Sequence, residues 1–448
     1  MNVPAAAPAI TASAGVARGP APSAVAAPAA SPATSSDRLW ASLMELASIG
    51  ATPRGGVRRL ALTGLDGQGR ARVTGWLREA GCTVLCDAIG NLFAIRAGSD
   101  PTLAPVAMGS HIDTQPNGGR FDGNYGVLAG LEVLRTLNDA GIVTRRPLAV
   151  AIWTNEEGSR FQPVMMGSGV YAGAFTAAHC HAQRDADGTS VAQALAAIGA
   201  AGRDPAPAFD AYFEAHIEQG PVLERESTVI GVVESALGQR WFDVLVEGQD
   251  AHAGPTPIDM RRDALLAASR LTLAVREIAQ RHPHYARGTV GRLVVAPNSR
   301  NVIPGRVEMS VDLRNADDAT LGAMAAAVRE AADAIAQADG VSIALTETVY
   351  FPPCIFDAGL AASIEAAAAG AGYSHRRIAS GAGHDAVYVA RTCPAAMVFV
   401  PCEGGISHNE IENARPDHLH AGANVLLQAV LARAQRTPGQ RSERTARG

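Results

Sequence analysis

The sequence contains 448 residues, of which 47% are hydrophobic and 18% are charged. Because a chain of this length exceeds what one compact core usually supports, two domains are expected, and this balance of residues is typical of a globular enzyme. The formal net charge of −5 argues against a nucleic-acid-binding protein, and no apolar run is long enough to span a bilayer, which argues against a membrane protein.

The first segment, residues 1–36, is rich in Ala, Pro and Ser, and Arg18 is its only charged residue. Such a composition cannot bury enough apolar surface to fold, so a disordered tail is expected. A signal peptide is the alternative, but it needs a continuous apolar stretch, and prolines interrupt this one. The six cysteines include no C-x-x-C pair and do not follow a disulfide framework, so we expect reduced thiols and a cytoplasmic protein.

From residue 37 onward the hydrophobic pattern alternates between helices and strands. It predicts helices over 40–48, 70–80 and 127–137, and strands over 83–87, 105–109 and 148–153. Apolar strands separated by helices are typical of a parallel α/β sheet. In such a sheet, functional side chains gather beyond the carboxyl ends of the strands, where His111 and the pair Glu156-Glu157 are expected.

The pattern changes near residue 234, where apolar and polar residues begin to alternate. This alternation predicts antiparallel strands with one face in solvent, accompanied by two helices. The strands are predicted over 241–247 and 307–314, and the helices over 261–280 and 320–336. Together they predict a small α+β domain.

The α/β pattern returns after this small domain. It predicts a helix over 360–369, a strand over 395–400 and a final helix over 421–434. We therefore expect a domain of residues 234–345 that is inserted into a catalytic domain made of residues 37–233 and 346–436.

Two segments at the ends of predicted strands carry candidate metal ligands. His111 precedes a glycine-rich loop that bears Asp122, and imidazole and carboxylate are ligands that zinc, manganese, nickel and cobalt prefer. Asp113 is placed to accept the other ring N–H of His111. Glu156 and Glu157 follow the next strand, where adjacent carboxylates are costly to bury unless a cation meets them. The alternatives are a turn with an incidental histidine and a solvated acidic turn.

Two later segments supply further imidazoles. His216 lies on a short extended stretch, followed by Gln219, whose amide donates and accepts hydrogen bonds. His408 lies among glycines, which allow the backbone to approach a ligand closely. The alternatives are a satisfied core histidine and a flexible loop tip. Four separate segments thus each contribute a histidine or a carboxylate, and two metal ions that share one carboxylate need about five ligands.

The inserted domain offers three further polar side chains. His252 is predicted in a tight turn, Asn301 in a second turn, and Arg314 on the polar face of a strand. Arginine is the natural bidentate partner of a substrate carboxylate. The alternatives are ordinary turn residues for His252 and Asn301, and a surface pair of Arg314 with Asp312 or Glu308.

Seven strings, in the same order, resemble the amidase/hydantoinase/carbamoylase branch of the di-zinc aminopeptidase-like superfamily. They are GSHIDTQPNGGRFDG, TNEEGSRF, EAHIEQGPVLE, AHAGPTP, NVIPG, SGAGHDA and GISHNE. The resemblance covers residues 37–435; the Ala/Pro-rich amino end departs from it. It implies an α/β catalytic domain of the di-zinc aminopeptidase-like type, with an inserted α+β (ferredoxin-like) domain that acts as a lid and forms a homodimer.

The resemblance also implies a role for each candidate residue. Glu156 would be the general base, and Asp122 would bridge two divalent ions, zinc or alternatively manganese, cobalt or nickel. The implied metal ligands are His111, Asp122, Glu157, His216 and His408. The implied substrate contacts are Gln219, His252, Asn301, Arg314 and Gly383. His252 would also stabilise the developing oxyanion, in its own or in a neighbouring subunit.

The implied activity is hydrolysis of an N-carbamoyl-L-amino acid or of N-carbamoyl-β-alanine to the amino acid, ammonia and carbon dioxide. An allantoate amidohydrolase is the alternative within this branch, and an aminoacylase or peptidase is a more distant alternative on the same scaffold. A binding protein on an inactive scaffold would lack a ligand or the base, and none is missing from this sequence.

Overall fold

The computed structural model describes residues 32–282 and 285–437. Residues 1–31 of the predicted tail, which spans residues 1–36, therefore lie outside the described residues. The end of that segment contacts the folded chain: the Thr34 amide donates to Asn424 Oδ1 at 2.8 Å, and the Ser35 amide donates to Glu132 Oε1 at 2.8 Å.

The predicted helices all overlap observed helices. In the described chain the helices are α1 (Ser36–Ser48), α2 (Gly64–Glu79), α3 (Asn124–Asp139), α4 (Met166–Tyr171), α5 (Ala177–Ala182), α6 (Val191–Ala197), α7 (Val222–Arg225), α8 (Ala264–Gln280), α9 (Asp318–Asp339), α10 (Ala358–Gly370), α11 (Asp385–Val389) and α12 (Pro416–Ala434). None of these helices is both long and apolar enough to cross a membrane.

The predicted strands likewise overlap observed strands. The strands of the described chain are β1 (Thr83–Cys86), β2 (Leu92–Arg96), β3 (Val106–His111), β4 (Leu148–Trp153), β5 (Ala211–Ile217), β6 (Ile230–Ala236), β7 (Gly238–Glu247), β8 (Ala251–His252), β9 (Arg287–Ala296), β10 (Val302–Ile303), β11 (Arg306–Asn315), β12 (Ser342–Phe351), β13 (Cys354–Ile355), β14 (His375–Ser380) and β15 (Ala395–Val400).

The larger sheet is mixed, with the order β1-β2-β4-β3-β5-β15-β6-β13 and with β14 paired to β6. Its central strands β4, β3, β5 and β15 are parallel, which confirms the predicted parallel sheet there. The prediction is wrong at the margins, where β1 pairs antiparallel with β2, β2 with β4, and β6 with both β15 and β13. Short connections such as that between β1 and β2 permit an antiparallel return, whereas parallel neighbours need a long crossover.

The central strands are buried along their whole length, which explains their continuous apolar sequences. Helices α1, α3, α10 and α12 contribute to the hydrophobic core on one face of the sheet. Because these strands run in the same direction, their carboxyl ends meet at one edge. His111, Trp153, Ile217 and Val400 are the last residues of β3, β4, β5 and β15. The chain segments that follow these residues therefore lie close together.

The smaller sheet is antiparallel, with the order β12-β7-β11-β9, and helices α8 and α9 pack on it. The predicted alternation is confirmed: Phe242, Val244 and Val246 point into a core that includes Leu271 of α8, and Trp241 is exposed. The sheet and its two helices form the expected α+β arrangement. Strand β12 runs past residue 345, and the division into domains at 234 and 345 stays a prediction.

A fully buried arginine ties α1 and α3 to the end of β3. Arg59 donates to the carbonyl oxygens of Leu46, Ile49 and Ile112 at 2.8–2.9 Å and to Asn124 Oδ1 at 2.6 Å. Burial lowers the pKa of Arg59 to about 10, so the guanidinium remains charged at neutral pH. It donates hydrogen bonds to several buried acceptors, of which the Leu46 carbonyl oxygen also accepts from the Ile49 amide.

Replacing Arg59 by methionine is expected to lower the free energy of unfolding by about 3 kcal/mol, because several buried acceptors lose their donor. The matched control is Arg58→Met, since the neighbouring Arg58 is exposed. Urea denaturation measures both variants. An equal loss of stability in the two variants would contradict this role of Arg59.

Candidate metal centre

Three imidazoles and three carboxylates predicted from separate segments meet at the carboxyl edge of the larger sheet. His111 ends β3 and His216 lies on β5. Asp122 lies in the loop before α3, and His408 lies in the loop between β15 and α12. The remaining two carboxylates, Glu156 and Glu157, follow β4. Except for His408, whose side chain is 52% exposed, these residues are buried.

Asp122 is at the centre of the cluster. Its Oδ1 lies 3.2 Å from His216 Nε2 and 3.7 Å from His111 Nε2. Its Oδ2 lies 3.2 Å from His408 Nε2, which is also 3.4 Å from Glu157 Oε2. Two groups of potential ligands therefore share one carboxylate: His111, Asp122 and His216, and Asp122, Glu157 and His408.

The local hydrogen bonds leave the Nε2 atoms of His111 and His216 directed at Asp122. His111 Nδ1 lies 2.9 Å from the carbonyl oxygen of Asp113, and His216 Nδ1 lies 2.9 Å from that of Ile217. Because a carbonyl oxygen only accepts, each Nδ1 carries the hydrogen, and each neutral ring then has its lone pair on Nε2. Both imidazoles can therefore ligate a metal through Nε2.

The role predicted for the Asp113 side chain is wrong in one respect. The backbone carbonyl of Asp113, not its carboxylate, accepts the hydrogen bond from His111, and Asp113 Oδ1 is 3.9 Å from Nδ1. The carboxylate instead accepts from the backbone amides of Glu156 and Glu157, at 3.3 Å each. Asp113 thus positions the segment after β4. Because Asp113 lies two residues beyond His111 in an extended stretch, its carboxylate reaches the neighbouring strand.

The electrostatics of the cluster fit a cation. Burial, followed by the charges of Asp385 and Glu157, raises the pKa of Glu156 well above its usual range. Burial and the charge of Asp122 do the same to the pKa of Glu157. Burial also lowers the pKa of His111 to about 4, so that its ring is neutral at pH 7. Burial lowers the pKa of His216, but the hydrogen bond and charge of Asp122 outweigh this and raise it to about 9. Buried carboxylates that face imidazoles form a donor set that divalent transition metals satisfy.

The loop that carries Asp122 depends on a glycine. Gly123 has a φ of 63°, and a Cβ added there would lie 2.4 Å from the His111 ring. A side chain at this position would be strained and would collide with a candidate ligand. The glycine-rich loop noted in the sequence therefore allows Asp122 to approach His111.

Sequence reasoning missed the acid that supports this loop. Glu412 is buried and accepts from the backbone amides of Phe121 and Asp122 at 2.9 and 3.1 Å, and from Ser407 Oγ at 2.7 Å. Burial, followed by the charge of Asp122, raises the pKa of Glu412 to about 7. Glu412 lies in a polar loop, and nothing in its local pattern separates it from a solvated glutamate.

A second buried group behind the cluster was also missed. His384 packs against His216 with ring centroids 4.6 Å apart, and its Nε2 lies 2.8 Å from Ser380 Oγ. Glu214 accepts from Ser110 Oγ at 2.7 Å and from the amide of Ala386 at 2.9 Å. The signal that could have found Glu214 is an acid two residues before His216 within an apolar strand, because only a partnered carboxylate is retained there.

The cluster opens into a cavity of about 250 Å³. The lining includes three of the predicted substrate contacts, Gln219, Arg314 and Gly383. Gln219 Nε2 donates to Asp122 Oδ2 at 2.9 Å. Arg314 pairs with Asp312 at 3.0 Å, which is the surface pair considered as the alternative, and donates to the carbonyl oxygen of Gly381 at 3.2 Å. Its guanidinium therefore reaches the cavity while it is partly engaged.

The structure does not bring His252 and Asn301 to the cavity of their own chain. They lie side by side, with the Ala253 amide donating to the Asn301 carbonyl oxygen at 2.9 Å, and both are exposed. Their paired strands β8 and β10 form a separate small ladder. Contact between these residues and substrate stays a prediction that requires a neighbouring subunit or a movement of the small domain.

Comparisons with known proteins relate this chain to amidohydrolases. Residues 107–432 match the model of peptidase family M20/M25/M40. A Rhizobium meliloti protein named N-carbamoyl-L-amino-acid amidohydrolase is 45% identical over 413 residues, covering 92% of this chain and 99% of the relative. The crystal structure of an amidase of the hydantoinase/carbamoylase family from Burkholderia multivorans matches with a TM-score of 0.89 and 54% identity, covering 91% of this chain and 99% of that one. A Bacillus subtilis allantoate amidohydrolase is 34% identical over 389 residues, covering 86% of this chain and 94% of the relative.

Proposed function

Since this chain belongs to peptidase family M20/M25/M40 and, within it, to the amidase/hydantoinase/carbamoylase branch, we propose that it removes the carbamoyl group from N-carbamoyl-L-amino acids or N-carbamoyl-β-alanine. The observation that carries this proposal is the buried Asp122, whose two oxygens each face imidazoles, in a cavity that Arg314 also lines. The products would be the amino acid, ammonia and carbon dioxide.

We propose that the cluster holds two divalent ions, with zinc the first candidate and manganese, cobalt or nickel the alternatives. His111 and His216 would bind one ion, Glu157 and His408 the other, and Asp122 both. The two ligand groups that share Asp122 support this assignment. The chemistry that such a cation pair supplies when bound is Lewis-acid activation of water and of the carbamoyl oxygen.

Glu156 is proposed as the general base. Its carboxylate lines the cavity, and its Oε2 lies 3.5 Å from His111 Nε2, within the cluster but outside the two ligand groups. From this position it can take a proton from the attacking water and return it to the leaving nitrogen. The backbone amide of Glu156, held by Asp113, keeps the side chain at the cavity wall.

Arg314 is proposed to bind the substrate carboxylate. Guanidinium binds carboxylate through two parallel hydrogen bonds, and Arg314 lies on the polar face of β11 at the cavity wall. Binding would require Arg314 to exchange its pair with Asp312 for the substrate. Gln219 and Gly383 line the same cavity and are proposed as further contacts.

The allantoate alternative receives less support. The relative named for N-carbamoyl-L-amino acids is 45% identical to this chain, and the relative named for allantoate is 34% identical. We therefore retain allantoate hydrolysis only as a second substrate to be tested.

We further infer a cytoplasmic homodimer that forms through the small domain. The six cysteines, each without a disulfide in the structure, suit a reducing compartment. Apolar side chains just before α8 support an interface, since Ile258 is 78% exposed and Met260 is 71% exposed. The exposed pair His252 and Asn301 lies in the same domain and would then face the cavity of the partner.

The proposed activity is tested with purified metal-loaded protein by ammonia release from N-carbamoyl-L-leucine, N-carbamoyl-β-alanine and allantoate. Cleavage of N-acetyl-L-leucine, which yields no ammonia, is measured by release of free leucine. We expect ammonia from at least one N-carbamoyl amino acid, no cleavage of N-acetyl-L-leucine, and loss of turnover after treatment with a chelator. The chelated protein, reloaded with zinc or manganese, is the control. Turnover of allantoate alone would establish the alternative, and turnover that survives complete metal removal would refute the metal centre.

A further inference from the structure

A second, smaller cavity opens beside the metal centre, and we call it the side cavity. It has a volume of about 50 Å³. It lies next to the first cavity, because both are lined by Met165, Gln239, Arg314, Ala382 and Gly383. A ligand held by Arg314 at the metal centre is therefore bound by a residue that also lines the side cavity.

Part of the side cavity is lined by apolar side chains. Beyond the shared residues, its lining includes Leu237, Phe351, Pro352, Cys354, Val387 and Tyr388. These side chains come from three places in the fold: the residue between β6 and β7, the stretch from the end of β12 to the start of β13, and helix α11. An apolar group entering the cavity would be removed from water on several sides, which is favourable in proportion to the area buried.

The charged residues of the lining are both cationic. They are Arg314 and Arg391, and the Arg391 guanidinium lies 4.7 Å from the centre of the Tyr388 ring. No carboxylate is among the described residues that line this cavity. A positively charged group would therefore enter without a counter-ion and against two like charges, which disfavours it.

Substrate geometry determines what occupies this space. In an α-amino acid, the carbon that bears the carboxylate also bears the side chain. When the carboxylate binds Arg314, the side chain is therefore close to a residue that lines both cavities. In N-carbamoyl-β-alanine the corresponding carbon bears only hydrogen, and the side cavity stays without apolar contact.

We propose that the side cavity receives the apolar side chain of an N-carbamoyl-L-α-amino acid and selects substrates with side chains the size of leucine or methionine. One water molecule needs a cavity volume of roughly 10–15 Å³, so the side cavity, with about 50 Å³, accepts roughly four heavy atoms. This inference rests on the proposed function. The side cavity selects N-carbamoyl-α-amino acids over N-carbamoyl-β-alanine, whereas the metal centre alone does not distinguish these two substrates.

The first test compares kcat/KM for N-carbamoyl derivatives of L-leucine, L-methionine, glycine, β-alanine and L-lysine. We expect the leucine and methionine derivatives to exceed the glycine and β-alanine derivatives by roughly 10- to 100-fold, because of the buried side chain. The lysine derivative is expected among the poorest substrates. Glycine or β-alanine derivatives that match leucine would overturn the inference and leave the proposed function standing, whereas no ammonia from any derivative would remove both.

The second test fills the cavity by Val387→Phe, since Val387 is half-buried on the short helix α11. The ratio of kcat/KM for the leucine derivative to that for the glycine derivative is expected to fall about tenfold. The matched control is Val143→Phe, at a valine that is 61% exposed and is not part of either cavity lining. The control should keep the wild-type ratio.

A second variant distinguishes a change in specificity from misfolding of the Val387→Phe protein. Phe351→Ala enlarges the side cavity, and the preferred substrate is expected to shift from the leucine derivative toward the larger phenylalanine or tryptophan derivative. Because this readout is a change in preference among active substrates, a general loss of activity does not imitate it. An unchanged preference in both Val387→Phe and Phe351→Ala would overturn the assignment.

Discussion

The Glu156→Gln variant is expected to lose roughly 1000-fold in kcat while it keeps the metal content of the parent protein. General-base catalysis contributes roughly 10²- to 10⁴-fold, and glutamine has nearly the same shape but cannot accept the proton of the attacking water. Metal content should be preserved because Glu156 lies outside the two groups of ligands around Asp122. Steady-state ammonia release and metal analysis by mass spectrometry measure the two properties on the same sample.

The neighbouring glutamate provides the matched control. Glu157 faces His408 at 3.4 Å and belongs to one of the ligand groups, so Glu157→Gln should lower both kcat and the number of bound ions. The two variants differ by one position and introduce the same chemical change. Full activity in Glu156→Gln, or loss of metal from it equal to that in Glu157→Gln, would contradict the division of roles.

Removing the shared carboxylate is expected to have a comparable or larger effect. The Asp122→Ala variant should bind neither ion tightly and should lose roughly 10³- to 10⁴-fold in kcat/KM, because Lewis-acid activation is worth several kcal/mol and each ~1.4 kcal/mol is a factor of ten. The three imidazoles that now face Asp122 lose their common partner. Metal analysis and ammonia release again measure the outcome.

The surface variant Asp187→Ala is the control for Asp122→Ala, because Asp187 is exposed in the loop between α5 and α6. It should keep the metal content and the activity of the parent. Retention of two ions by Asp122→Ala would exclude Asp122 as a bridge. Loss of metal from Asp187→Ala would indicate that metal content follows general stability and not the ligand set.

The central strands of the large sheet could be predicted from sequence because burial on both faces produces an uninterrupted apolar run. The strands β4 and β15 were predicted with the bounds that the structure shows. The edge strands lack this signal. Strand β14 reads HRRIAS, and only its last three residues are buried, so its pairing with β6 depends on the neighbouring strand and not on its own pattern.

The candidate ligands could be predicted because each is a histidine or a carboxylate near the end of an apolar strand or in the loop that follows it. Their convergence on Asp122 follows from the parallel central strands. The supporting contacts of Glu412 and Asp113 could not be predicted, because both residues act through the backbone amides of other segments. Such contacts are set by tertiary structure and leave no local sequence pattern. The exposed position of His252 and Asn301 is likewise a property of the small domain as a whole.

Strand β15, the last strand of the described residues, lies between β5 and β6 in the middle of the large sheet. During synthesis on the ribosome, the strands on its two sides are complete long before it emerges. His408 follows His111 by roughly 300 residues, which takes roughly 15 to 60 s at ~5–20 residues per second. Until then the two halves of the sheet have no strand to join them, so the nascent chain acquires its full set of ligands only after His408 has been synthesised.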